Sequence, residues 1–507
     1  MSASKRTPAG RAAQMAGPVL ALSLFGVGGM MQAQAPGSTG QNAAQSTAST
    51  AQSVAGGQTL LYGATGQNSA SSSQDSYRGS VVEGKSTGAT MDLTLDDAIQ
   101  RGLRNNLGVI LQSSTVRNAN GQRLEQLQAL LPTVSGQASI EVEQLNLAAF
   151  GLKIAGIKPI IGPFQVVDFR AYLTQNVLNL NALQGYLAAK HNFAGAKLTA
   201  EDAHDMVVLT VGNAYLLCVA DAARIEAVKA ELATSKVTLD QAVAGHDAGT
   251  NPRLDVLRAQ VDYQNEQQSL ISTTNQLAKD KLALARTIGL PLDQDFRAID
   301  LSPYKALDNV DPQTAFEQAV KSRKDLQAMA EQLKGAEAQK KAAWDDRLPT
   351  AQVSGDYGDQ GTTFGHSHGT YTATGTISAP ILQIAKDRGE VQVADAAVQE
   401  QKAKLADQVQ QVNADVRDSI LDIQAAAKLV EAAKSNVDLA TEALSESQQR
   451  FHAGIADNLP VSQAQSQLEQ ANDQYISALY QHNVAKLSLA RALGAAQTNY
   501  KDYLGGK

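Results

Sequence analysis

The sequence predicts a mainly α-helical protein with membrane β-strands, built from a duplicated strand–strand–long-helix module. Three observations carry this prediction. The helix ending "KLALARTIG" at Lys281 returns 205 residues later as "KLSLARALG" at Lys486, far beyond the roughly 20–50-residue period of a solenoid. Segments of strict apolar–polar alternation come in pairs, one pair per half. Each pair precedes a long run of apolar residues at steps of three and four, the spacing of a heptad seam.

The N-terminus reads as an export signal over residues 1–35. Lys5, Arg6 and Arg11 form a basic region, Gly17 to Met31 an apolar one, and Ala33-Gln34-Ala35 a small-residue cleavage site. Its removal takes away three basic residues and no acids, so the mature chain carries 40 basic against 50 acidic residues, a charge of −10. That balance argues against nucleic acid as a partner. Residues 36–90, rich in Ser, Gly, Gln, Ala and Thr, read as a disordered low-complexity extension. Cys218 is the single cysteine, so an intrachain disulfide is impossible and packing alone must hold the fold.

The first repeat spans 91–300 and the second 301–496, followed by a C-terminal tail, 497–507. Thr94 is the expected N-cap of the first helix, with Asp96 and Asp97 in its first turn. Pro132 and Pro349 each end a helix and begin an extended segment. Strands are expected at about 133–145 and 165–177, and again at about 350–358 and 369–380. Val134, Gly136, Ala138, Ile140 and Val142 alternate with polar residues in the first. Val167, Phe169, Ala171 and Leu173 do so in the second, Ala351, Val353, Gly355 and Tyr357 in the third, and Tyr371, Ala373, Gly375 and Ile377 in the fourth. Period two over this length gives each strand an apolar and a polar face.

Helical hairpins are expected at about 180–289 and 384–494. Their first arms carry the seams Val207, Val211, Ala214, Cys218, Ile225, Val228, Leu232, Ser235, Leu239, Ala242 and Val409, Val412, Val416, Ser419, Ile423, Ala426, Val430. Asp221 is the one charged interruption, and Cys218 reads as a small core residue. Gly249 and Gly454 sit where each arm must turn back. A helix of roughly 70 residues rises about 100 Å, and it is stable only if packed along its length.

Four amphipathic strands cannot close by themselves. Membranes admit strands only as closed barrels of about eight or more, so several chains must share one: two copies give eight strands, three give twelve with room for a channel.

The duplicated module, the two turn motifs and both K-L-x-L-A-R-x-[I/L]-G endings, covering Leu93 to Gly494, resemble the TolC-like outer-membrane efflux proteins. The resemblance implies a homotrimer, with a twelve-stranded β-barrel in outer-membrane lipid continued by an α-helical barrel across the periplasm. It implies a passive exit duct of a tripartite efflux or type I secretion system, whose tip docks a periplasmic adaptor (a membrane fusion protein) that meets an inner-membrane transporter. Gly249, Thr250, Leu254 and Asp255 with Gly454, Ile455, Ala456, Asp457 and Leu459 then occupy the adaptor-docking, pore-closing tips. Pro460 and Gln463 stand where similar proteins often have aspartates ringing the closed entrance.

No G-x-S-x-G, H-E-x-x-H, P-loop or paired-cysteine pattern occurs, so no catalytic residue, cofactor or metal is expected. His366 and His368 lack a third ligand nearby and read as part of a solvated loop. The competing expectation is a soluble periplasmic adaptor or scaffold built on a coiled-coil hairpin.

Overall fold

The computed structural model describes residues 76–151, 156–250, 252–300, 304–305, 307, 310–453, 455 and 458–504. The signal segment 1–35 and residues 36–75 of the expected extension lie outside the described residues. The remainder of that extension corrects the expectation of disorder, because residues 76–90 are a strap with defined partners. Val81 N–H donates to the Asn105 carbonyl (2.8 Å), Glu83 N–H to that of Gly289 (3.0 Å) and Thr87 N–H to Gln294 Oε1 (2.8 Å). Helix C-termini leave carbonyls without intrahelical donors, and the strap supplies donors to two of them.

A short strand β1 (Met91–Leu93) pairs in parallel with β4 (Phe296–Ala298). Helix α1 (Leu95–Asn105) starts at Thr94, whose hydroxyl accepts from Asp97 N–H at 3.0 Å. The chain bends at Asn106 and resumes as α2 (Leu107–Gln128). Tyr77 packs so closely on this bend that a Cβ at Gly108 would lie 2.3 Å from its ring.

Strands β2 (Thr133–Asn146), β3 (Ile160–Leu178), β5 (Thr350–Gly361) and β6 (Ser367–Ser378) form one antiparallel sheet in the order β2-β3-β5-β6. β3 begins five residues before the expected 165, and β5 runs three beyond 358. Val134 lies opposite Leu173, Leu173 opposite Gly355 and Gly355 opposite Ala373, so all four apolar rows fall on one face. Many of those side chains have no cover among the described residues: Val134 is 71% exposed, Val142 73%, Tyr371 79% and Ile377 79%.

The long helices are α3 (Leu180–Asp247, 68 residues) and α7 (Ile384–His452, 69 residues), returned by α4 (Arg253–Ile288) and α8 (Leu459–Ala492). Between the repeats lie α5 (Pro312–Ser322) and α6 (Lys324–Asp345). Along α3 the seam residues Val207, Val211, Cys218, Ile225, Val228, Ser235 and Ala242 are buried; along α7 so are Val412, Val416, Ser419, Ile423, Ala426 and Val430. Burial pushes the Cys218 thiol up to about 12, leaving it an inert core group. The expected tail is a further helix, α9 (Ala496–Leu504), docked by Gln497 N–H on Asp205 Oδ1 (2.7 Å) and by the Tyr500 hydroxyl on Asp96.

The repeated ending closes α4 and α8 in the same way. Gly289 (φ 77°) and Gly494 (φ 66°) take the left-handed conformation that only glycine adopts without strain. At Gly494 a Cβ would also lie 2.9 Å from the Arg323 backbone, whereas at Gly249 (φ 77°) it would meet nothing. Gly494→Ala therefore combines conformational strain of about 1–2 kcal/mol with a backbone clash. Its thermal midpoint, followed by circular dichroism in detergent, should fall clearly below that of Gly249→Ala.

Candidate functional site at the hairpin tips

The first tip is a tight turn made by its own backbone. Gly249 N–H donates to the His246 carbonyl (2.9 Å), and Thr250 N–H and hydroxyl both donate to that of Gly245 (2.9 Å each). Pro252 then sets the extended entry into α4. Leu254 is exposed, while Asp255 in the first turn is buried, its carboxylate 4.0 Å from the Arg258 guanidinium. At an N-terminus the helix dipole favours an acid.

At the second tip, Ile455 N–H donates to the Arg450 carbonyl (3.0 Å) and its side chain projects into solvent. Gly454, Ala456 and Asp457 lie outside the described residues. Asn458 occupies the N-cap position of α8 without a side-chain cap bond; it is fully buried, and its amide atoms have no hydrogen-bond partner among the described residues. Leu459 is exposed, and beneath it Phe451, Val461, Ala464 and Leu444 form a small core.

Sequence reasoning missed the polar seam that joins the two hairpins behind these tips. The Ser462 hydroxyl donates to Asp262 (2.7 Å), Asn472 to Glu231 (2.9 Å) and Arg224 to Ser477 (2.8 Å). Three carboxylates converge there, Glu231 of α3, Glu266 of α4 and Glu469 of α8, with oxygens within 4.8 Å of one another. They stand beside a cavity of about 220 Å³ lined by Thr234, Leu444 and Gln465. Burial, then repulsion from Glu469, Glu231 and Asp262, raises Glu266 to about 7. Burial, then Asp473, raises Glu469; burial raises Glu231 against the lowering hydrogen bond from Asn472, with Glu469 and Asp473 adding to the rise. Neighbouring acids of one sign leave the proton as the charge-relieving partner. The only available signal was acids set among apolar steps, which a period count treats as noise.

The family model described as outer membrane efflux protein matches residues 98–290 and 315–495, both repeats. The outer membrane protein TolC of Escherichia coli is 30% identical over 136 residues, 26% of this chain and 28% of that protein. The probable efflux pump outer membrane protein SepC of Pseudomonas putida is 25% identical over 63% of this chain and 65% of its own length, so the matched part spans less than two thirds of these relatives. The toluene efflux pump outer membrane protein TtgI of Pseudomonas putida is 24% identical over 80% of this chain and 85% of its own. Among solved structures, VceC of Vibrio cholerae superposes with a TM-score of 0.69 at 18% identity, over 79% of this chain and 96% of that one. The open-state channel MtrE of Neisseria gonorrhoeae gives 0.69 at 18% identity, over 82% and 94%. At this identity the structural likeness concerns the fold.

The carboxylate seam makes the hairpin contact pH-dependent. Joined hairpins hold Glu266 near 7, and separated ones return it toward its ordinary 4.5. The contact is thus strongest in acid and weakens as pH rises from 4.5 through about 7. Glu266→Gln should raise the thermal midpoint at pH 8 by several degrees, at roughly 2–4 °C per kcal/mol, and change it less at pH 5. An equal change at both values would remove the proton from the account.

Proposed function

The chain belongs to the outer membrane efflux protein family, and from that premise we propose that three copies form the passive outer-membrane duct of a tripartite efflux or type I secretion system. One observation carries the reading. A four-stranded sheet aligns its four alternating apolar rows on one face, and its edge strands, β2 and β6, have no further strand partner among the described residues. In lipid an open edge leaves backbone groups unsatisfied. Pairing β6 of one copy with β2 of the next, three times, closes a twelve-stranded barrel with its apolar face toward lipid.

The helices continue the duct through the periplasm. Exposed Leu257 and Val261 on α4 and Leu421, Leu429 and Leu439 on α7 are surfaces for neighbouring copies. At the far end, the first tip (Gly249, Thr250, Leu254, Asp255) and the second (Gly454, Ile455, Ala456, Asp457, Leu459) dock a periplasmic adaptor and close the entrance. Buried Asp255 is the part of this surface that anchors its own helix, whereas Leu254 and Ile455 are the side chains that reach a partner. The inner-membrane transporter supplies the energy, so the duct is not an enzyme and needs neither a nucleophile nor a cofactor.

A soluble adaptor is the weaker reading. An adaptor has no use for four strands that expose one continuous apolar face, nor for a second hairpin.

Purified in detergent, the mature protein should run at roughly three times the mass of one 53.4 kDa chain less its signal segment. It should remain in the membrane pellet after alkaline extraction and conduct ions in planar lipid. Recovery as a detergent-independent single subunit without conductance would overturn the reading.

A further inference from the structure

The polar face of the sheet carries an uneven set of charges. The register places Glu141 and Glu143 of β2, Asp168 and Arg170 of β3 and Asp356 of β5 on that face, and Arg170 is the one Lys or Arg in the four strands. Every nitrogen of its guanidinium group is engaged. Nε donates to Asp168 Oδ1 (2.8 Å), Nη1 to Asp356 Oδ2 (3.1 Å) and Nη2 to Gln360 Oε1 (2.9 Å). The group clips the first repeat to the second, since β3 and β5 come from different halves of the chain. Glu141 and Glu143, farther along β2, are exposed, with no ion pair or hydrogen bond among the described residues.

One arginine set against four carboxylates leaves three negative charges per chain, nine in a trimer. Whether a solute at the axis feels them depends on the bore. Twelve strands about 4.8 Å apart, tilted about 40°, give a wall about 75 Å around and about 12 Å in backbone radius. Inward side chains take up about 5 Å, half the spacing of stacked sheets, and leave an open radius of about 7 Å. The Debye length is about 10 Å at 0.1 M salt, so the wall charge reaches the axis.

Resting on the trimeric-duct reading, we infer that the outer half of the barrel lumen is a cation-favouring filter, and that Arg170 sets its strength by neutralising part of the acid it clips. Rings of carboxylates raise the local concentration of cations and oppose anions. Glu141 and Glu143 supply the uncompensated field, and Asp168 and Asp356 are the reserve that Arg170 holds in check. Positively charged solutes would leave through such a mouth more readily than anionic ones of equal size.

The full-length protein in planar lipid, under a gradient of potassium chloride centred near 0.1 M, gives the permeability ratio of K⁺ to Cl⁻ from the reversal potential. Wild type should favour K⁺ several-fold, and Arg170→Gln should increase the preference. The double variant Glu141→Gln, Glu143→Gln should bring it toward unity, and 1 M salt, where the Debye length is about 3 Å, should do the same for wild type. If Arg170→Gln fails to assemble, the double variant, which touches neither the clip nor the apolar face, still decides. An anion-selective wild type, an unchanged ratio in the double variant, or a ratio that moves only with Asp255→Asn at the tip would overturn the inference. Absence of conductance from every protein would instead remove the duct reading beneath it.

Discussion

Every feature of this chain answers to one constraint: a β-strand in lipid must find a hydrogen-bonding partner on each side. Four strands with two open edges fail that test as a single chain, and they satisfy it only when an edge of one copy meets an edge of another. In the proposed trimer, closure then dictates the rest. An apolar face that is excessive for a lone domain becomes the lipid-facing wall, and the polar face with its Arg170 clip becomes the lining. A wall of twelve strands is wide enough that the helices beneath it must also stand around a hollow, so they pack along narrow seams and not as a solid bundle.

Duplication supplies the parts, and divergence specialises them. "KLALARTIG" and "KLSLARALG" end in the same left-handed glycine, yet their cations meet different fates. Lys281 stays at the surface and pairs with Asp295 at 3.1 Å. Lys486 is buried under the inter-repeat connection, its ammonium donating to the Lys305 carbonyl, and burial lowers it to about 8. Arg286 is exposed, whereas Arg491 clamps Asp202 at 2.7 Å. The shared letters thus record a shared helix termination. Their environments differ because only the second copy is crossed by the chain between the repeats and by α9.

Much of the architecture was legible because periodicity is a local property that burial writes directly. Alternation over Val134–Val142 and Tyr371–Ile377 and heptad steps through Val412–Val430 each announce a face that needs a partner. The mutual register of the four strands was not readable from any one of them, although the faces it aligns were. Two further elements escaped for a physical reason. The strap at 76–90 is fixed by backbone hydrogen bonds to helix ends, which low-complexity composition does not reveal, and α9 is held by Tyr500 and Asp205, contacts more than 290 residues apart in sequence. The tips were located by their glycines, but the burial of the tip carboxylate Asp255 against its own helix was not legible from its position in the turn.

The carboxylate seam was invisible for a deeper reason, and in the proposed duct it marks where the long helices part most readily. Apolar seams such as Val412–Val430 lose contact area steadily as helices part, so they resist opening along their whole length. A seam of acids has the opposite character. Glu231, Glu266 and Glu469 are brought within 4.8 Å at an electrostatic cost, which is relieved when α4 moves away from α8. Set behind the tips and bridged by the hydrogen bonds Ser462–Asp262 and Asn472–Glu231, this repulsion offsets part of the energy that holds the hairpins together. The hairpins therefore sit nearer to balance at their ends than in the core around Tyr215 and Leu487, where these side chains are fully buried. In the proposed duct, that gradient of cohesion, firm at the middle and marginal at the tip, would let the entrance seal at rest and yield to a docking partner.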